Sequence, residues 1–432
     1  MKFLFKIIVV FLIVFSIRIP YVYNTVFLAI IITTVFYIFN DKKLPFTYFF
    51  QRYNAVILIG TVLIALVIYA FTVFHSTYVY NDLQKRMWVE LQMLAAMIYA
   101  LPLLLKDKET NAFDDICVII CYVFALQGLI HLIAYLYEPL GEYFFEMKPE
   151  SIKQMVLNPR FHVDRFRLYC LSGIVFVELV AAYGITFMLY FRLQLNSSSH
   201  PYLKGWVNFV VFFFIIIGTM LAGRTGFVGL ALGFLLWVRF QYKQIVSFLN
   251  HNIMQIILVL AAIFFAYNFL LPAKQRKMFN DEVFPFAFEW YYNYRDYGTF
   301  SIQSLEGTES HYFPLRDETF LKGHGGVPNE YLNYSNTDAG YMNNILFGGI
   351  PYVICLIIYQ SLYFILPLSI AGKKRSLENR VDAALFMLFF AYIFLLSYKT
   401  TAIGTIHIVE TLLLAAGSTY LIRYYSSEEL NK

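Results

Sequence analysis

Apolar stretches of roughly 18 to 22 residues recur from end to end of this chain, each long enough to cross about 30 Å of hydrocarbon. No other feature restricts the fold as strongly. In lipid the backbone must satisfy its own hydrogen bonds, so only helices and closed barrels span a bilayer, and barrel strands alternate apolar and polar residues. These runs do not alternate. They predict an all-α polytopic integral membrane protein forming a single transmembrane domain over residues 1–432. Composition agrees: 59% of residues are hydrophobic and 14% charged, where a soluble domain carries about a quarter charged residues.

The predicted spans are 3–17, 21–39, 54–74, 87–105, 116–137, 168–190, 205–222, 226–240, 253–271, 339–370, 381–398 and 403–422, about twelve transmembrane helices. The stretch 339–370 exceeds one crossing, and Gly348, Gly349 and Pro351 are placed to break it into a short interfacial piece followed by a span. Lys2 and Lys6 before the first apolar run imitate a signal peptide, but no small-residue cleavage site follows, so the segment reads as a retained helix.

Orientation follows from Lys and Arg in the short loops. With the N-terminus inside, seventeen fall on the inner side, among them Lys42, Lys43, Arg192 and Lys373, and only five in short outer loops, among them Arg18, Arg224 and Lys399. Both termini are therefore expected in the cytoplasm. Two longer loops, the smaller at 138–167 and the larger at 272–338, then lie outside, and the larger one exceeds what a connector needs. The net charge of +5 reports this asymmetry, and no nucleic-acid partner is expected from it. Cys117, Cys121, Cys170 and Cys355 all sit in or beside apolar segments, so no disulfide framework and no metal site are expected.

Four groups of residues are candidates for chemistry. Phe284 to Tyr297 combines aromatic faces, Trp290 among them, with Glu289, Arg295 and Asp296. Aromatic platforms beside hydrogen-bonding groups suit sugars, while an interfacial amphipathic helix is the alternative. Arg224, between Gly223 and Thr225-Gly226 at the outer end of a span, has a planar fork that matches phosphate oxygens. The alternative is an arginine snorkelling to the headgroups. Arg165, Arg167 and Lys399 fall at the same predicted depth. His324, between glycines, and Asp338, where the loop becomes a helix, are candidate bases, against a roleless loop histidine and a helix cap. Glu178, His131, His407 and Glu410 lie within spans, where ionisable groups need partners or a wet cavity, and His407 and Glu410 share one helix face. Zinc-protease, nucleotide-loop and serine-hydrolase motifs are absent from the sequence.

The words AGRTGFVGLAL at 222–232, FLKGHG at 320–325 and TDAGYMNNILFGGI at 337–350, with one large outer loop late in the chain, resemble the O-antigen polymerase family. That family lies within the superfamily that includes O-antigen ligases. The resemblance implies a GT-C-like bundle and a metal-independent glycosyltransferase without cofactors in the bacterial inner membrane. Its donor and acceptor would be undecaprenyl-pyrophosphate-linked glycans in the membrane lipid at the periplasmic face, with a polysaccharide chain-length regulator as a further partner. Arg224 would match the family's junction arginine, and Asp338 with Gly340 its acidic-glycine pair beside Tyr341. Ligases carry His-Asn before an aromatic-Leu step in the late loop. Here Pro328-Asn329-Glu330-Tyr331-Leu332 stands instead, which favours a polymerase. A ligase and a lipid-linked oligosaccharide flippase or transporter are the alternative functions, and no inverted repeat supports the latter.

Overall fold

The structure, a computed structural model, describes residues 2–17, 24–40, 44–75, 81–105, 112–148, 153, 165–171, 176–195, 200–241, 266–300, 311–325, 339–373, 376–399 and 407–429. Among these residues every regular element is helical. The long helices are α1 (Lys2–Phe15), α2 (Thr25–Phe39), α3 (Arg52–His75), α4 (Asn81–Leu104), α5 (Ala112–Leu136), α6 (Phe176–Leu195), α7 (Trp206–Ala222), α8 (Gly226–Gln241), α9 (Gly340–Ala371), α10 (Leu377–Lys399) and α11 (His407–Glu429). Helices α3, α5, α9, α10 and the Met87–Leu104 part of α4 are long and apolar enough to cross a membrane, and α1, α2, α7 and α8 are shorter apolar helices. The chain is thus a helical, membrane-spanning protein. The predicted span 253–271 falls largely outside the described residues.

One helix organises the bundle. Every residue of α11 from His407 to Tyr424 is buried, and the helix packs against α3, α4, α5, α6 and α9. An α-helix without a polar face belongs inside, surrounded by others. Around it the outer helices show lipid-facing side chains such as Ile59, Leu63 and Leu66 on α3, as expected where the solvent is hydrocarbon. Close crossings rest on glycine. A Cβ on Gly128 would overlap the Phe214 carbonyl between α5 and α7, and one on Gly229 would overlap Gly184 between α8 and α6. Small residues permit such contacts because van der Waals packing, not hydrophobicity, joins helices in lipid.

Charged pairs fix one end of the bundle. Arg192, wholly buried near the end of α6, donates from Nε to Asp382 at 2.9 Å near the start of α10 and also pairs with Asp114 at the start of α5. Arg423 on α11 binds Glu378 at 2.6 Å and also reaches Asp382. Phe113 lies beneath both guanidiniums. Because burial of a lone charge is prohibitive, these groups hold four helix ends together. The sequence places Arg192 in an inner loop beyond a span ending at 190. In the structure α6 runs from Phe176 to Leu195, because the buried Asp382 and the partly exposed Asp114, on two neighbouring helices, keep the arginine inside the last turn.

The expected break in the stretch 339–370 is present. Gly349 takes φ 67°, ψ −170° inside α9, a conformation that suits glycine. Leu346 O and Phe347 O thereby lose their partners within the helix, the second because Pro351 has no N–H. The segment before α9 supplies both bonds: His324 N–H donates to Leu346 O at 2.8 Å and Gly325 N–H to Phe347 O at 3.0 Å. The FLKGHG and FGGI words are therefore two halves of one joint.

Candidate functional site

Opposite the Arg192 cluster, the start of α6 meets the α7–α8 junction, since a Cβ on Gly223 would press on Val180 and on Arg167 Nη2. Helix α7 ends at Ala222, whose carbonyl has no acceptor role left within the helix. Arg167, on a 3-10 turn spanning Arg165–Leu168, fills that role with Nε donating to Ala222 O at 3.1 Å. The side chain of Arg224 follows immediately on the junction. Its guanidinium and that of Arg167 each lie 4.8 Å from the centre of the Phe286 ring, and Arg224 is ion-paired with Glu289.

The segment after residue 272 reaches this position because its beginning is apolar. Phe279, Val283 and Ala287 are buried with Tyr135, Phe166 and Leu221 in a hydrophobic cluster of their own, and Phe286 meets Phe166 edge-on at 5.8 Å. Short helices Phe284–Ala287 and Glu289–Tyr297 then carry the aromatic segment across the arginines. Beyond Glu289, Trp290 and Tyr294 stack on Phe300 with ring centres 6.4 and 4.2 Å apart. Arg165 stands two residues from Arg167, pairs with Glu142 and covers the Phe145 ring at 4.4 Å.

Three of the four cations expected at this depth thus share one corner, and Lys399 does not join them in any contact described. It ends α10, one residue after Tyr398, whose carbonyl accepts from the Tyr312 hydroxyl at 2.6 Å. Arg295 is engaged elsewhere, with Asp296 at 2.7 Å and the Tyr292 ring at 4.7 Å. Arg167 and Arg224 on Phe286 offer two guanidiniums against the Glu289 carboxylate, partly shielded from water, which is an environment for an anion with planar oxygen pairs.

A second group occupies the same end of the bundle. His324 is half-buried at the joint with α9, and His75 at the end of α3 approaches Lys322 O at 3.1 Å. Burial holds the His324 imidazole below its usual pKa, with the neighbouring His75 adding a smaller push in the same direction, so it is neutral near pH 7. Gly340 is buried at the start of α9, and Tyr341 ties that helix to α10 by donating to Phe394 O at 3.1 Å. Asp338 lies outside the described residues.

The sequence reading misses Glu90. It stands on α4 with no exposure, accepts from the Tyr359 hydroxyl and lies 3.4 Å from His407 Nδ1. Its signal was one acid in the apolar run 87–105, and its partners are about three hundred residues away. Glu178, near the start of α6, is buried and close enough to act electrostatically on Glu410. His131 is held apart from these groups, against Phe166 O at 2.9 Å. No protein-family model, curated protein or solved structure matches the chain.

Proposed function

We propose that this protein is a membrane-embedded, metal-independent glycosyltransferase that polymerises undecaprenyl-pyrophosphate-linked repeat units into a surface polysaccharide at the periplasmic face of the bacterial inner membrane. In this reading the bundle is GT-C-like, crosses the bilayer about twelve times and keeps both termini cytoplasmic. The observation that carries it is the arginine pair on Phe286, roofed by a loop rich in aromatic rings. Loss of a pyrophosphate leaving group concentrates negative charge, which preorganised guanidiniums in a low-dielectric corner stabilise more in the transition state than in the ground state. The pyrophosphate takes the place of the Glu289 carboxylate on Arg224, and Trp290, Tyr294 and Phe300 pack against sugar faces. Asp338, His324 and Glu178 are the candidates for removing the acceptor's proton.

The buried Glu90, His407 and Glu410 favour a second reading, a carrier for lipid-linked oligosaccharide, because ionisable groups at depth mark transport pathways in many membrane proteins. Gel analysis of the surface glycan in a strain lacking this protein separates the readings. Single repeat units remaining on the carrier lipid indicate a lost polymerase, no surface glycan indicates a lost flippase, and unattached polymer indicates a lost ligase.

A further inference from the structure

Deep in the bundle, Glu90 on α4 and His407 and Glu410 on α11 place one ligand atom each within 4.8 Å of one another, and all three are buried. Their exposures are 0%, 2% and 0%. The donors are unevenly distributed. Glu90 receives the Tyr359 hydroxyl and faces His407 Nδ1, and Tyr359 is itself held by Thr61 and Tyr363 at 2.9 Å each. No N–H or neutral hydroxyl donor among the described residues reaches either Glu410 oxygen, and the side chain placed to share a hydrogen bond with it is another carboxylate, Glu90. Glu178 is a second acidic group acting on Glu410, and His407, within 4.8 Å, is the basic one.

Two carboxylates cannot share a dry site in lipid without a positive charge between them. A shared proton serves one oxygen of Glu410 and leaves the other bare. A divalent cation serves both, and its two charges cancel those of Glu90 and Glu410. We infer that Glu90, His407 and Glu410 bind a first-row divalent metal ion, of the zinc or manganese class, that joins α4 to α11. One imidazole and two carboxylates suit these ions, and three protein ligands leave room for Glu178 or water to complete the shell. The ion joins two helices of the bundle, and the inference does not depend on the proposed transfer reaction.

The test uses full-length protein in detergent, stripped with chelator, reloaded with zinc or manganese chloride and desalted. Wild type should retain about one metal ion per chain, and its melting temperature should rise on reloading. In Glu410→Gln, which keeps shape but not charge, and in His407→Gln, bound metal should fall to background and the thermal response should vanish. X-ray absorption of zinc-loaded wild type should show one imidazole among oxygen neighbours, and this measurement stands even when a variant fails to fold. Wild type that retains no metal, a spectrum without imidazole, or a folded Glu410→Gln that binds as much metal as wild type would each overturn the assignment. A Glu410→Gln protein that melts above wild type in chelator, with no metal response in either, would show the pair to be a shared-proton site instead.

Discussion

Replacement of Arg224 by Lys keeps the charge at the α7–α8 junction and removes the planar fork. In the structure that fork faces Glu289 and lies 4.8 Å from the centre of the Phe286 ring, with its side chain 24% exposed. A hydrogen bond to a charged group contributes about 1.5 to 3 kcal/mol, and an ammonium retains only a part of a bidentate contact with phosphate. At 1.4 kcal/mol per factor of ten, loss of one such bond slows transfer roughly 10- to 100-fold. The assay is polymerisation of purified lipid-linked repeat units, read as kcat/KM and chain length, with monodispersity in detergent as the control for folding. Glu289→Gln separates the roles. If Arg224 binds the donor, freeing it from Glu289 leaves the rate unchanged or raises it; if the pair only pins the loop, both variants lose activity together. Wild-type kinetics in Arg224→Lys, or equal losses in the two variants, would refute the phosphate assignment.

If Asp338 is the general base, Asp338→Asn abolishes turnover while the protein still folds; a helix cap would survive that change because the amide oxygen still accepts. If activity persists, His324→Gln should be inactive, and since burial lowers the His324 pKa, the acid limb of the rate profile should fall below about pH 6.5. The same depression means that stability from this group is lost as pH falls, because the unfolded chain takes up the proton first. A cysteine at Tyr297, which is 78% exposed, should react with an impermeant thiol reagent in cells whose outer barrier has been opened; labelling only after lysis of the inner membrane would overturn the topology. Arg192→Ala leaves Asp382 buried with one partner fewer and should destabilise the protein by about 3 to 5 kcal/mol, seen as a large fall in melting temperature; an unchanged melt would show that the four helix ends are held by packing alone.

Long-range placement, not local pattern, is what the sequence conceals. The helices and the α9 break are legible because hydropathy, glycine and proline act within a turn or two. Arg192 falls outside a span in the sequence because the apolar run stops short of it, and its compensating carboxylates come from elsewhere in the chain. The proximity of Arg167 to Arg224 is invisible until Phe286 bridges them from a segment some sixty residues later. The shared face of His407 and Glu410 follows from three-residue spacing, whereas Glu90 joins them only through the packing of α4 on α11.

Helix α11 follows in the chain every helix it packs against. During synthesis, then, Glu90 enters the bilayer before its neighbour His407 exists, and must wait in lipid, at the insertion machinery or protonated. Arrival of α11 gives Glu90 its imidazole neighbour and Asp382, already held by Arg192, a second guanidinium. A ribosome stalled short of His407 should therefore leave a nascent chain that quality-control proteases recognise, even though all of its earlier apolar helices have already been made.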